Sequence, residues 1–347
     1  MVKNTRWFWV LGIVIMLTSC AKTGNREFEN AFSAYKALFV IDGRVIDTGN
    51  NNISHSEGQG YGLLFSVAAN DRRAFDKLWT WTVRVLQRPD GLFSWRYIPC
   101  EAKNRTCVDD PNNASDGDIL IAWALLRAAE KWGVDGYKSE AIKIINTIEK
   151  KLIVAQEPYT LLLPGVAGFK DDSGVQFNLS YWVFPALTAF SQNSDNPDVW
   201  KALFESGIFL IQEASFSSYK LPSDWTRINN GKISLDNVIA GEFGFNAIRI
   251  PLHLVWSPAF HENAKRDTLL APFTTWWSSP NKPATLELEN EAPSDYTMTP
   301  GMKAVVQAVN KIDNGKQPRW PILNRNTDYY SASLVLLSML AVSDMSS

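Results

Sequence analysis

The sequence is poor in histidine, in cysteine and in charge of one sign. Its 347 residues include only three His and three Cys, and the formal net charge is −2 with acidic and basic residues mixed. This balance implies no basic face, which argues against a nucleic-acid partner. There is no Cys-x-x-Cys pair and no cluster of His, so nothing points to zinc. We therefore expect neither a metal nor another cofactor.

Several common catalytic motifs are also absent. The chain has no Gly-x-Ser-x-Gly elbow and no phosphate-binding loop. The glycines at 58, 60 and 62 lack the spacing and the preceding strand of a dinucleotide site. A calcium loop is a poor fit, because placing Gly117 at its fixed glycine puts Ala114 and Trp123 at ligand positions.

The first residues are typical of an export signal. Lys3 and Arg6 precede an apolar run, Trp7–Leu17, that is too short to span a bilayer comfortably. Residues 17–20, Leu-Thr-Ser-Cys, resemble the lipobox of bacterial lipoproteins; an ordinary secretory signal with a chance Cys is the alternative. The lipobox implies a signal peptide over 1–19, lipid on Cys20 and a tether over 20–28. Because Ala21 follows rather than Asp, it also implies an outer-membrane anchor facing the periplasm.

The two remaining cysteines form an even pair. Cys100 and Cys107 are seven positions apart. In an oxidising periplasm they could close a small loop worth about 2–3 kcal/mol in the loop-entropy model. Two free thiols are the alternative.

The hydrophobic pattern from residue 29 to 347 predicts a single all-helical domain. Apolar and amphipathic stretches alternate about twelve times, as in a closed double ring of buried inner and half-exposed outer helices. Strand-rich and parallel βαβ folds need Val/Ile runs that are missing. Tyr159–Gln176 could form a short hairpin or a loop, and Ser215–Ala240 is predicted as a polar loop. The predicted helices are Glu29–Val40, Glu57–Asn70, Arg72–Gln87, Asp116–Trp132, Gly136–Leu152, Asn178–Ser191, Pro197–Glu213, Phe245–Val255, Glu262–Trp277, Met302–Ile312 and Tyr329–Val342.

The stretch His55–Gly62 holds one carboxylate, Glu57, among three glycines at the head of an apolar run. Glycine costs about 1 kcal/mol relative to Ala inside a helix, but it suits a place where the backbone must come close to another group. The pattern indicates a cleft-facing acid at the N-terminal end of a buried helix. A glycine-rich turn with a surface Glu is the alternative.

A second acidic group, Asp116-Gly117-Asp118, follows a long irregular segment. Asp near a helix N-terminus is a routine stabiliser, and Asp118 fits that role. Asp116 lies between small residues at the end of the loop, where an exposed cleft position is expected. Carboxylates at loop–helix junctions, with 14 Trp to pack against sugar rings, suit glycoside hydrolysis. In that reaction one acid protonates the leaving oxygen and a second carboxylate handles water or the anomeric carbon.

Two segments resemble the signatures of glycoside hydrolase family 8. Ser56–Gly62 resembles the first, and every defined position of the second fits between Ala114 and Trp132. The likeness extends over about residues 30–340. Other segments resemble the branch of periplasmic cellulases that accompany bacterial cellulose synthase: Gly43–Asp47, Ala68–Arg72, Phe177–Tyr181, Ser223–Trp225 and Asp328–Tyr330.

The resemblance implies a fold, a reaction and a setting. The fold is an (α/α)6 barrel of six inner and six outer helices. The reaction is inverting endo-hydrolysis of cellulose-type β-1,4-glucan, with Glu57 as general acid and Asp116 as a carboxylate at the cleavage point. Acid and base should then be about 6.5–9.5 Å apart. The expected partners are a β-glucan oligo- or polysaccharide and the cellulose synthase machinery, and the protein is expected to be a monomer.

One position departs from the family pattern. Relatives carry a general-base Asp before Ala-Ile-Arg, whereas this chain has Asn246, and a neutral amide cannot take a proton from water as a carboxylate does. Another carboxylate (Glu242, Asp236 or Asp224) could serve, Asp116 could take part, or turnover could be low. A working enzyme is favoured because the acid and its glycine frame are intact. Hydrolysis of xylan or chitosan, or glycan binding without turnover, are the alternatives.

Candidate sugar-binding residues lie at predicted loop–helix junctions. Asn178 and Tyr181 could hydrogen-bond sugar hydroxyls or cap a helix, and Arg249 could hold a carboxylate or form a structural salt bridge. Trp79, Trp123, Trp132 and Trp256 lie within or at the ends of predicted helices and are expected in the core. The candidates for stacking on sugar rings are Trp95, Tyr97, Tyr181, Trp225, Tyr329 and Tyr330.

Overall fold

A computed structural model describes residues 26–100, 107–236 and 241–346. The predicted signal peptide, Cys20 and most of the predicted tether lie outside these residues. Residues 26–28, the end of that tether in the sequence prediction, belong to the first helix, α1 (26–39), and Phe28 packs edge-to-face on Phe65 in the core. No helix in the described ranges is both long and apolar enough to cross a bilayer.

Six helices of the described chain form a closed inner ring. Each packs on the next in the order given below, and the last returns to the first. The first, second and last are apolar over most of their circumference, which is the expected pattern for helices buried on several sides. The ring consists of α2 (Ser56–Ala68), α4 (Ser115–Trp132), α6 (Phe184–Asn193), α8 (Ile250–Val255), α11 (Pro300–Asn314) and α12 (Tyr329–Met345).

Outer helices cover this ring, and their apolar residues face inward. On α3, the buried Phe75, Leu78 and Leu86 recur at helical spacing, and Asp71 caps the N-terminus by accepting from the backbone N–H of Ala74, as predicted. The two layers confirm the predicted (α/α)6 barrel. The outer helices are α1, α3 (Arg72–Leu86), α5 (Asp135–Leu152), α7 (Pro197–Glu213), the single turn α9 (Pro258–His261) and α10 (Arg266–Trp277).

Two apolar stretches predicted as single helices are divided. Residues 178–191 begin with a 3₁₀ turn, Leu179–Tyr181, before α6 starts at Phe184 with a proline in its first turn. Residues 245–255 likewise begin with the 3₁₀ turn Ala247–Arg249 before α8. Proline favours the first turn of a helix because it lacks the N–H that would be unpaired there. These breaks put the polar residues Asn178, Ser180, Asn246 and Arg249 just before two inner helices, at the mouth of the barrel.

Short antiparallel strands join the helices at that mouth. Residues 226–235, predicted as polar loop, instead form a hairpin within a four-stranded sheet of order β10-β9-β8-β7. A second sheet has the order β11-β12-β13, and the pairs β1-β2, β3-β4 and β5-β6 complete the set. The strands are β1 (Val40–Ile41), β2 (Arg44–Val45), β3 (Ser54–His55), β4 (Arg96–Tyr97), β5 (Ile153–Gln156), β6 (Tyr159–Leu162), β7 (Lys170–Asp171), β8 (Gly174–Phe177), β9 (Thr226–Asn229), β10 (Lys232–Leu235), β11 (Glu242–Phe243), β12 (Leu286–Glu287) and β13 (Ala292–Pro293).

The disulfide and the core tryptophans follow the sequence prediction. Cys100 and Cys107 are joined by a disulfide at the surface, beyond β4. Four tryptophans were predicted in the core. Trp123 and Trp256 are buried and pack edge-to-face on each other, and Trp79 and Trp132 are half-buried against the core.

Candidate active site

Two glycines bring the first turns of α2 and α4 into contact. A Cβ atom on Gly60 would stand 2.6 Å from the Cβ of Leu120. One on Gly117 would stand 2.1 Å from Ser56 Oγ and 2.8 Å from the backbone nitrogen of Glu57. No larger residue fits at Gly117 without separating the helices. This close approach brings together the first turn of α2, which carries Glu57, and the first turn of α4, which carries Asp116.

Glu57 is held by three neighbours and keeps part of its side chain in solvent. Its Oε1 accepts hydrogen bonds from the Tyr61 hydroxyl at 2.9 Å and from Nη1 of Arg249. His55 Nδ1 lies 3.9 Å from Oε2, and it also caps α2 by accepting from the backbone N–H of Gly58. The Glu57 side chain is 19% exposed. A carboxyl group fixed on one side and open on the other is suited to meet a ligand.

Arg249 connects Glu57 to the residue that departs from the family pattern. Its buried guanidinium donates to Tyr61 at 2.8 Å, to Ser180 Oγ at 3.1 Å and to Asn246 Oδ1 at 2.7 Å, besides its bond to Glu57. The carboxylate held by Arg249 is therefore that of the predicted acid. This network fixes the distance between Glu57 and the 246–249 turn.

Asp116 is a buried carboxyl with few partners. It is 4% exposed, and its one hydrogen bond within the described residues comes from the backbone N–H of Gly117 at 2.7 Å. Burial raises the pKa of Asp116 to about 6. A carboxylate left this weakly paired is costly to ionise, so its position indicates a functional role.

Asp118, two residues on, has the structural role expected for it. It accepts from the backbone N–H of Phe93 at 2.8 Å and from Asn113 Nδ2 at 2.7 Å. Burial raises the pKa of Asp118 to about 7. The side chain fastens the preceding loop to α4.

Two of the candidate bases are committed to structure. Asp224 accepts four hydrogen bonds, three from the backbone N–H groups of Gly244, Asn246 and Ala247 and one from Asn246 Nδ2. Burial raises the pKa of Asp224, but its lone pairs are occupied by this turn. Asp236 is the second of these. Its buried Oδ2 lies 3.3 Å from Arg227 Nε and accepts a hydrogen bond from Gln176 Nε2 at 2.8 Å.

Glu242 differs from both. It lies on β11 and is half-buried, and no hydrogen bond joins its carboxylate to the described residues. Its Oε1 and Asp224 Oδ2 each lie 2.9 Å from the place a Cβ on Gly244 would take. Burial, reinforced by the charges of Asp224 and Glu287, raises the pKa of Glu242.

One row of aromatic rings includes Tyr181. Burial, and after it the negative charges of Asp116 and Asp224, raise the pKa of Tyr181 well above its usual value. Trp225 packs edge-to-face on Tyr181, with ring centroids 6.2 Å apart, and lies parallel to Phe169 at 6.0 Å. Phe169 was not among the residues predicted from the sequence to stack on sugar rings.

A second aromatic pair lies beside Asn246. Tyr330 donates its hydroxyl hydrogen to the carbonyl of Phe245, and the two rings pack edge-to-face at 5.7 Å. Phe245 is 40% exposed. Sequence reasoning missed it, although its position next to Asn246 was a usable signal.

Other predicted sugar contacts are occupied by protein. The prediction for Tyr329 is wrong, since its ring is 2% exposed and packs on Phe39 and His55. Tyr97 packs on Trp81, with Arg44 over its ring. These rings support the wall behind Glu57 rather than a sugar.

Trp95 and Asn178 also make protein contacts. The Trp95 indole donates to Asp110 at 2.8 Å, and the Arg96 guanidinium covers one ring face at 4.5 Å. Asn178 is buried and caps the 3₁₀ turn by accepting from Ser180, the second of its two proposed roles, while its Nδ2 has no partner among the described residues and stays a predicted sugar contact. Within the described ranges, no group of three or more His, Cys, Asp or Glu is arranged to hold a metal ion.

The arrangement defines a class of enzyme. Glu57 and Asp116, a fixed carboxyl and a buried one, stand side by side at the mouth of a helical barrel. Aromatic rings, among them Tyr181, Trp225 and Phe245, lie on segments that lead into neighbouring inner helices, as needed for a ligand with flat apolar faces. These are the features of a glycoside hydrolase.

Comparison with known proteins gives the family. The family described as glycosyl hydrolases family 8 matches residues 1–344. A probable endoglucanase of Novacetimonas hansenii is 37% identical over 306 residues, 86% of this chain and 86% of that protein. An endoglucanase of Cellulomonas uda is 37% identical over 298 residues, 84% of this chain and 80% of that protein.

Solved structures agree with this match. Endo-β-1,4-glucanase CMCax of Acetobacter xylinum superposes with a TM-score of 0.84 at 35% identity, covering 92% of this chain and 99% of that one. Endoglucanase Cel10 of Klebsiella pneumoniae superposes with a TM-score of 0.82 at 39% identity, covering 90% of this chain and 99% of that one. The chain belongs to family 8 of the glycosyl hydrolases, as its two signatures predicted.

Proposed function

We propose that the protein is an endo-β-1,4-glucanase that cleaves cellulose-type β-glucan with inversion at the anomeric carbon. The observation that carries the proposal is the position of Glu57, a partly exposed carboxyl oriented by Tyr61 and Arg249 on the helix next to that of Asp116. Relatives that match most of the chain are named endoglucanases, which favours glucan over xylan or chitosan.

In the proposed reaction Glu57 gives its proton to the glycosidic oxygen as that bond breaks, while water attacks the anomeric carbon from the opposite face. Asp116 contacts the sugar at the cleavage point. Its burial makes a hydrogen bond to a sugar hydroxyl stronger than the same bond would be in water. Trp225 and Phe245 supply apolar faces to sugars further along the chain.

The test is release of reducing ends from carboxymethyl-cellulose. Glu57→Gln should abolish it, because an amide is far too weak an acid to protonate the glycosidic oxygen, while cellopentaose binding persists. Glu140→Gln, the same change at an outer-helix ion pair with Lys143, is the matched control and should retain activity. Full activity of Glu57→Gln would remove the assignment.

The anomeric outcome and the substrate can be read together. Proton NMR of cellopentaose digestion should show the α-anomer first, as inversion requires. Appearance of the β-anomer first would refute inversion. Faster cleavage of xylan or chitosan in a substrate panel would change the glycan but keep the reaction class.

A second candidate is a glycan-binding protein with lost turnover. The presence of Asn246 at the position of the family's base favours it. It predicts that wild-type protein binds cellopentaose without cleaving it, and that Asn246→Asp gains activity.

We also propose a cellular setting. The lipobox at residues 17–20 supports an outer-membrane lipoprotein facing the periplasm, and the Cys100–Cys107 disulfide fits an oxidising compartment. There the enzyme, as a monomer, would trim glucan beside the cellulose synthase machinery. Cys20→Ala should move the protein from the membrane to the soluble fraction and abolish palmitate labelling; unchanged fractionation would refute the anchor.

A further inference from the structure

The strand β11 presents its residues alternately to two sides. Phe243 is buried and packs against Phe273 and Trp276 of α10. Since side chains alternate along a strand, Glu242 and Gly244 face the other way. Asp224 lies on that side, with its Oδ2 bonded to the backbone N–H and the side-chain amide of Asn246.

Contacts of hydrogen-bond length link this face to the acid. Glu57 bonds Arg249, Arg249 bonds Asn246 at 2.7 Å, and Asn246 bonds Asp224 at 3.3 Å. The Glu242 carboxylate comes next, because Glu242 Oε1 and Asp224 Oδ2 each lie 2.9 Å from the place that a Cβ on Gly244 would take. A larger residue at 244 would enter the space between the two carboxylates.

Among the candidate bases Asp224, Asp236 and Glu242, the described residues leave one carboxylate free to take a proton from water. Asn246 is a neutral amide whose oxygen already accepts from Arg249. Asp224 is saturated by its turn and Asp236 is paired with Arg227. Glu242 is half-exposed, and none of the described residues donates a hydrogen bond to it.

We propose that Glu242 is the general base of this enzyme and takes over the role that Asn246 cannot perform. The inference rests on the proposed function. Asp224 acts as a positioning residue that holds the 244–247 turn.

The proposed step balances as follows. Glu242 removes one proton from a water molecule, and the water oxygen forms a bond to the anomeric carbon. The bond from that carbon to the glycosidic oxygen breaks, and this oxygen takes the proton of Glu57. The products are one chain with an α-configured reducing end and one with a free 4-hydroxyl group. Exchange with solvent then returns the proton from Glu242 and reloads Glu57.

The electrostatic surroundings of Glu242 agree with the role. Burial and the nearby negative charges of Asp224 and Glu287 raise its pKa above the usual range for Glu. A base is most efficient when its pKa approaches the working pH. Glu287 pairs with Glu242 across the β11–β12 ladder, so the two side chains share one face of the sheet, but Glu287 is the more exposed of the two. Its replacement therefore offers a matched control.

The experiment compares Glu242→Gln with Glu287→Gln on cellopentaose. Glu242→Gln should lower kcat by about 10²- to 10⁴-fold with KM unchanged, and the acid limb of the kcat–pH profile should disappear. Glu287→Gln should keep kcat at the optimum, while its acid limb moves to lower pH because one charge that favours protonation of Glu242 is gone.

A rescue separates the chemical role from a structural one. Adding Asn246→Asp to Glu242→Gln returns a carboxylate to the neighbouring turn. The double variant should have a kcat at least tenfold higher than that of Glu242→Gln alone. Formate should likewise accelerate Glu242→Ala, because it can occupy the vacated space as a small base.

Each outcome decides between the hypotheses. Wild-type kcat in Glu242→Gln, with Glu57→Gln inactive, overturns Glu242 as base and leaves the glucanase proposal intact. A wild-type protein that cleaves no glucan overturns both. If Glu242→Gln fails to fold, Glu242→Ala decides: formate acceleration supports the base, and full activity without formate refutes it.

Discussion

Asp116→Asn should make the protein more stable and less active, and the gain in stability should depend on pH. Burial places the folded-state pKa of Asp116 at about 6 against an ordinary value of 3.8. Below pH 4 both folded and unfolded chains hold the proton, so the group costs nothing. Between pH 4 and 6 the unfolded chain has released this proton while the folded protein still holds it, so stability falls as the pH rises and becomes constant once both states are ionised above pH 6.

The size of the effect follows from the same values. One pKa unit corresponds to about 1.36 kcal/mol, so ionised Asp116 lowers the free energy of unfolding by about 3 kcal/mol above pH 7. Asparagine removes this cost and keeps an oxygen for the Gly117 backbone N–H. The variant should therefore match wild type near pH 4 and exceed it by up to about 3 kcal/mol at pH 8.

Denaturant unfolding at pH 4, 6 and 8 measures this difference directly. The matched control is Asp198→Asn, the same change in the first turn of α7, where the side chain is 93% exposed. It should show little change at any pH. A constant difference for Asp116→Asn across the range, or a loss at pH 8, would refute the argument from burial.

Activity completes the prediction. If Asp116 meets the sugar at the cleavage point, its replacement should lower kcat on cellopentaose even though the protein is more stable. A buried charge that costs stability and is retained for its chemistry shows a trade-off known from other active sites. Unchanged kcat would mean that the carboxylate has no part in the reaction.

Three further predictions concern packing, substrate contact and the disulfide. Gly117→Ala should cost about 1–3 kcal/mol and most of the activity because it pushes α2 and α4 apart; Gly136→Ala in the open first turn of α5 is the control and should stabilise slightly, as thermal unfolding will show. Phe245→Ala should raise KM for cellopentaose more than it lowers kcat, and the reverse pattern would exclude a sugar-stacking role. Replacing Cys100 and Cys107 by Ser should lower the free energy of unfolding by about 2–3 kcal/mol without changing kcat; equal denaturation midpoints would contradict this.

Much of the fold was predictable because apolar spacing reports directly on helices. The bounds of α7, Pro197–Glu213, were predicted without error, and α4 differs by one residue at its start. The failures arose where local chemistry overrides periodicity. The apolar residues of 178–191 and 245–255 fit one helix each, but 3₁₀ turns and prolines begin new ones.

The site was predictable in its acids but not in its contacts. Glu57 and Asp116 stood out because glycine flanks each of them. The hydrogen bond between Arg249 and Glu57 joins residues 192 positions apart. The spacing of residues along the sequence does not predict a contact over that separation. Tyr329 and Tyr330 are adjacent in the sequence but have different surroundings. Successive residues of α12 point about 100° apart around the helix axis, so Tyr329 faces the core and Tyr330 faces Phe245.

The inner ring is closed by the two ends of the chain. The α12 helix packs on α2, and the Tyr35 hydroxyl lies 3.3 Å from Ser333 Oγ, 298 positions later. The helix that carries Glu57 therefore comes long before one of its ring neighbours in the sequence. A truncated chain that lacks α12 would leave α2 uncovered on one side, so we expect hydrolytic activity only from a chain in which α12 is present and docked.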